Sequence, residues 1–98
     1  MNKKWYTYML ASRKNWTLYV WVTSNLGKRV YEHKNWIFEW FTKRYSIHSL
    51  VWYQEFSTII EAIEYEKIIK KWRREKKINL ISKLNPEWVD LSKDWVSN

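Results

Sequence analysis

The chain has 98 residues, with 18 Lys and Arg against 10 Asp and Glu, a formal charge of +8, and no Cys. Residues 1–98 are therefore expected to form one small domain with an anionic partner, and disulfides, thiolate metal sites and cysteine nucleophiles are excluded. A hydrophobic share of 46% with a single Pro argues against disorder; no apolar run approaches the ~18–20 residues of a membrane span, and Met1 to Tyr8 holds no apolar stretch of signal-peptide type, so a cytoplasmic protein is expected.

Trp5 to Ala11 (WYTYMLA) and Thr17 to Thr23 (TLYVWVT) are aromatic and β-branched runs joined by the polar segment Ser12 to Trp16, which predicts a hairpin. Ser24 or Asn25 can cap a helix running through Leu26, Val30 and Tyr31 to about Asn35, with Arg29 and His33 four apart on one face. Trp36 to Tyr45 reads as loop. His48 to Phe56 reads as a third strand, Ser57 or Thr58 as a second cap, and Ile59 to Arg74 as a helix whose apolar positions include Ala62, Ile63, Ile69 and Trp72. Lys76 to Leu84 predicts one more short helix, broken by Asn85-Pro86. The order β-β-α-β-α-α gives an α+β fold: a small three-stranded antiparallel sheet flanked by helices.

Two counts are abnormal: Trp occurs 9 times and Gly once. Turns usually need residues that accept positive φ. Yet Asn15-Trp16 stands where a hairpin favours Asn-Gly, and Asn35-Trp36 stands where a helix favours a terminal Gly.

Several residues could carry chemistry. Lys67, Lys70, Lys71, Arg73, Arg74, Lys76 and Lys77 place seven cations within eleven residues. Such a run suits phosphate contacts, or equally a solvated helix face balanced by Glu61, Glu64 and Glu75. Tyr8 and Tyr19 lie on neighbouring strands, where a phenol can act as a base or simply pack. Arg29 could stabilise charge on a phosphoryl group and His33 could relay a proton; read alone, each is an ordinary surface residue. Glu66 interrupts an apolar stripe. A carboxylate there needs a cation, either a neighbouring Lys or Arg or a hard divalent ion with mostly water ligands. The single Gly27 excludes a glycine-rich phosphate loop.

Tyr6-Thr7-Tyr8, followed after ten residues by Tyr19-Val20-Trp21, resembles the paired strand motifs of the GIY-YIG endonuclease superfamily. The segments RVYEH, with Arg29 and His33, and EAIEYEK, with Glu66, are similar to its catalytic and metal-binding helices. Over residues 5 to 91 the order of motifs is similar to the small single-domain branch related to the excinuclease catalytic domain. The resemblance implies a metal-dependent endonuclease acting on DNA. Tyr8 or Tyr19 would help deprotonate water, Arg29 would stabilise the phosphate, His33 would assist proton transfer, and Glu66 would hold one Mg²⁺ or Mn²⁺. Lys67, Lys70, Lys71, Arg73, Arg74 and Lys77 would track the DNA backbone. The chain departs from the family where Trp16, Trp21, Trp36 and Trp40 occupy positions that are usually Gly, whereas Trp52, Trp72 and Trp88 fall where an aromatic is usual. Bulk at the four glycine positions would impair activity. Some bacterial lineages read UGA as Gly and others as Trp, and a gene of the first kind translated by the second table would give this pattern. Two other functions fit the composition: a non-catalytic nucleic-acid-binding domain using the same basic face, and a protein-interaction module with exposed Trp.

Overall fold

The computed structural model describes residues 3–12, 17–34 and 49–95. Strands β1 (Trp5–Ala11) and β2 (Leu18–Thr23) precede helix α1 (Leu26–Lys34). Strand β3 (Ser49–Phe56) precedes helices α2 (Ile59–Lys71) and α3 (Arg74–Leu84). The three strands form one antiparallel sheet in the order β2-β1-β3. The expected architecture holds. The expected loop Trp36 to Tyr45, most of the hairpin connector with Trp16, Trp40, and His48 at the head of the third strand lie outside the described residues.

Alternation along β1 sorts the core into two layers. Met9 and Ala11 point to one face and pack with Val20, Trp52, Ile69 and Ile81; Tyr8 and Leu10 point to the other and pack with Leu26, Val30 and Leu50. Thr7, on the first face, donates its hydroxyl to the Ala62 carbonyl at 2.7 Å, fixing α2 there. Helix α1 therefore covers the opposite face. Met9 pairs with Trp52 but Leu10 with Leu50, so Val51 is an extra residue in β3. This bulge lets both Val51 and Trp52 join the α2 layer while Leu50 stays in the α1 layer.

Local signals set the helix ends. Asn25 Oδ1 accepts from the Lys28 N–H at 3.1 Å, and Thr58 Oγ1 accepts from the Glu61 N–H at 3.2 Å, so both expected capping segments act as caps. The second long helix departs from expectation. It stops at Lys71 rather than Arg74, and α3 starts at Arg74 rather than Lys76. Trp72 and Arg73 adopt extended backbone between them. The break turns the Trp72 ring edge-on to Tyr65, 6.4 Å between centroids, with Lys76 Nζ 4.5 Å from the Trp72 ring centre.

The segment after α3 is tied to the sheet by polar side chains. Buried Asn85 donates through Nδ2 to the carbonyls of Val51 and Val89 and accepts from the Val89 N–H. Asp90 Oδ1 accepts from the Leu50 N–H, and the Leu91 N–H donates to the Leu50 carbonyl. Edge strand β3 is thereby partly covered. Trp88 holds the left-handed conformation at φ 54° and is buried, so its packing outweighs a backbone cost of about 1–3 kcal/mol.

Candidate active site

The α1 face of the sheet gathers four of the expected residues. Tyr8 at mid-β1 is 2% exposed. Its ring centroid is 6.4 Å from that of His33, and its hydroxyl oxygen is 3.5 Å from His33 Nε2. His33, one turn beyond Arg29 on α1, is buried rather than solvent-facing. Burial, reinforced by the Arg29 charge, holds its imidazole down to about 4. Burial also pushes the Tyr8 phenol well above its ordinary range, with Arg29 opposing. At neutral pH the pair is thus a neutral phenol beside a neutral imidazole, able to donate and accept the proton between them.

Arg29 is exposed, and its guanidinium sits 3.5 Å from Glu32 Oε1. It is the cation that acts on both Tyr8 and His33. Tyr19 lies opposite Leu10, so the residue facing Tyr8 across the β1–β2 pair is Trp21. The Trp21 indole stacks on Tyr19 (5.5 Å between centroids, 12° between planes) and on His33 (4.6 Å, 17°), and it lies 6.1 Å from the Tyr8 ring. Trp21, at a position where the resemblance expects Gly, therefore contacts all three candidate rings.

Glu66 is placed differently. It stands on α2, the helix of the opposite face, half-buried, and its carboxylate pairs with Lys70 Nζ at 3.0 Å. Its departure from the apolar stripe is thus met by a neighbouring cation. Among the described residues no group of three or more His, Asp or Glu side chains converges as a metal cluster. A single carboxylate fits a hydrated Mg²⁺ or Mn²⁺ and no more enclosed site. Lys67, Lys70, Lys71, Arg73 and Arg74 are exposed and Lys77 is half-buried. They lie at the α2–α3 junction, on elements packed against the other face from Tyr8.

Sequence patterns alone do not single out Glu32 as the partner of Arg29, nor Trp21 as the ring at the centre. The spacing of Glu32 three residues after Arg29 is the available signal for the first. For the second it is the alternation that puts Tyr19 and Trp21 on one face of β2.

The model of the GIY-YIG catalytic domain matches residues 4–79. The chain belongs to the GIY-YIG family. GIY-YIG domains are nuclease domains, and the residues gathered on the α1 face all fall within the matched segment. The chain is also similar to a solved structure, the solution NMR structure of the UPF0213 protein BH0048 from Bacillus halodurans. The identity is 24%, with 96% of this chain and 99% of that one covered and a TM-score of 0.56. That likeness carries the α+β fold with its three-stranded antiparallel sheet. No curated protein matches the chain. Among the described residues, no helix of this GIY-YIG domain is long and apolar enough to cross a membrane.

Proposed function

We propose that the protein is a single-domain, cytoplasmic, metal-dependent endonuclease that hydrolyses DNA phosphodiester bonds. The observation that supports this most directly is the buried Tyr8–His33 pair beside Arg29 on the α1 face of a GIY-YIG domain. Tyr8 accepts a proton from the attacking water while its own hydroxyl proton passes to His33 Nε2, which is neutral and able to accept. The water oxygen bonds to phosphorus, the bond to the leaving oxygen breaks, and Arg29 stabilises the charge that builds on the phosphate. Tyr19 is the alternative proton acceptor. Glu66 would hold one hydrated Mg²⁺ or Mn²⁺; when bound, such an ion neutralises phosphate charge and makes its water more acidic. The exposed cations Lys67, Lys70, Lys71, Arg73 and Arg74, with Lys77, track the DNA backbone without reading sequence.

Trp21 favours a second reading for the chain as it stands, a nucleic-acid binder with a filled centre. Chelator separates the two. Conversion of supercoiled plasmid to the nicked form that requires Mg²⁺ or Mn²⁺ and stops with EDTA supports the nuclease. DNA binding without nicking, unchanged by EDTA, supports the binder.

A further inference from the structure

A cleft of about 570 Å³ opens beside the Tyr8 cluster. One wall is aromatic: Tyr6, Tyr53 and Trp95. Tyr6 and Tyr53 meet edge to face at 6.4 Å between centroids, and Tyr53 and Trp95 at 6.1 Å. Despite these contacts Tyr53 is 40% exposed and Trp95 38%, so both rings keep open surface. The other wall is formed by Ser24, Asn25, Leu26 and Gly27. Gly27, the one glycine of the chain, stands there with room to spare: a Cβ built on it would meet nothing nearer than Asn25 Oδ1 at 4.0 Å. Internal packing does not require glycine at this place, and its bare backbone leaves the wall open to a flat ligand.

The cleft borders the candidate active site: Tyr53 of its lining pairs with Tyr8 across β1 and β3. Tyr6 precedes Tyr8 by two residues on the same face of β1, and Leu26 and Gly27 open the helix that carries Arg29 and His33. The Asp90 and Leu91 hydrogen bonds to Leu50 anchor the segment that delivers Trp95 to this wall. The volume falls within the range of small-ligand sites. Aromatic faces beside a bare backbone in a strongly basic chain suit a nucleobase, because every base has a flat face to stack whatever its identity.

We infer that this cleft receives one nucleobase of the DNA strand, next to the phosphate held at the Tyr8–Arg29 site; the inference rests on the nuclease reading. Fluorescence anisotropy with short labelled single-stranded oligonucleotides, in EDTA so that cleavage plays no part, tests it. Trp95→Ala and Tyr53→Ala are expected to weaken binding by about five- to a hundred-fold, and Trp95→Phe to restore most of it. Abasic residues are then moved along the oligonucleotide. At one position the missing base is expected to weaken binding to the unaltered protein while having no further effect on Trp95→Ala. Equal effects of every abasic position on both proteins, or unchanged affinity in both alanine variants with native circular dichroism, would overturn the inference. Abasic coupling at Trp95 without metal-dependent nicking, even by the version with Gly at 16, 21, 36 and 40, would overturn the nuclease reading and leave the base site standing.

Discussion

The indole of Trp21 lies on the imidazole of His33, with 4.6 Å between centroids and 17° between planes. A residue from the edge strand thus covers a candidate proton acceptor on α1 and helps to keep it dry. Removing the indole should let water reach the ring. In Trp21→Gly the His33 pKa is expected to rise from about 4 toward its ordinary 6.5. NMR titration of the imidazole protons, with His48→Gln to assign the two histidines, measures this. A value that stays near 4 would mean that α1 and Tyr8 alone desolvate the ring.

The same imidazole makes stability depend on pH. Its folded pKa, about 4, lies below the ordinary 6.5, so between these values the unfolded chain binds the proton more readily. Stability is full above about pH 6.5 and is lost as pH falls through the window toward 4. The loss is on the order of 3 kcal/mol. Urea melts at pH 7.5, 5.5 and 4 should show it, and His33→Gln should flatten the slope across that window.

Asn85 is a second point of high consequence. Its side chain serves the Val51 carbonyl and both backbone groups of Val89. Asn85→Ala leaves the buried Val51 carbonyl without this partner and should cost roughly 2–4 kcal/mol. Thr58→Ala, which removes only an exposed cap from α2, should cost about 1 kcal/mol. Chemical denaturation of the two variants beside the parent chain gives both values.

Much of this molecule was legible in the sequence, and the reasons are local. Alternating aromatic and β-branched residues marked β1 and β2, and Asn25 and Thr58 marked helix starts through side-chain oxygens that can only serve nearby N–H groups. Motif spacing brought Tyr8, Arg29 and His33 into one group. What depended on tertiary packing was not legible. The end of α2 at Lys71 follows from Trp72 turning onto Tyr65, a contact that periodicity does not encode. His33 looks solvent-facing on a helical wheel and is buried because the sheet supplies Tyr8 and Trp21 above it. The ties from Asn85 and Asp90 to β3 join segments some forty residues apart or nearly so, beyond the reach of any local pattern.

The tryptophans divide by what they fill. Trp52 and Trp88 are buried in the α2 layer and Trp72 packs on Tyr65, all as core residues do. Trp21 instead occupies space among the candidate catalytic rings, and the resemblance expects Gly there as it does at 16, 36 and 40. If the excess tryptophans are UGA codons meant as glycine, the gene should carry UGA at 16, 21, 36 and 40 and UGG at 72 and 88. Sequencing the gene decides it; UGG at all six positions would contradict the recoding and make Trp21 a genuine feature of the site.

The central claim is that the α1-face cluster cleaves DNA, and a supercoiled-plasmid nicking assay tests it most directly. The chain as it stands is compared with a version carrying Gly at 16, 21, 36 and 40, and with Arg29→Ala in that glycine version, all purified identically and supplied with Mg²⁺ or Mn²⁺. The predicted result is nicking by the glycine version that falls at least about a hundred-fold on loss of the Arg29 guanidinium. Equal nicking with and without Arg29, or no nicking by any of the three folded proteins, would contradict it.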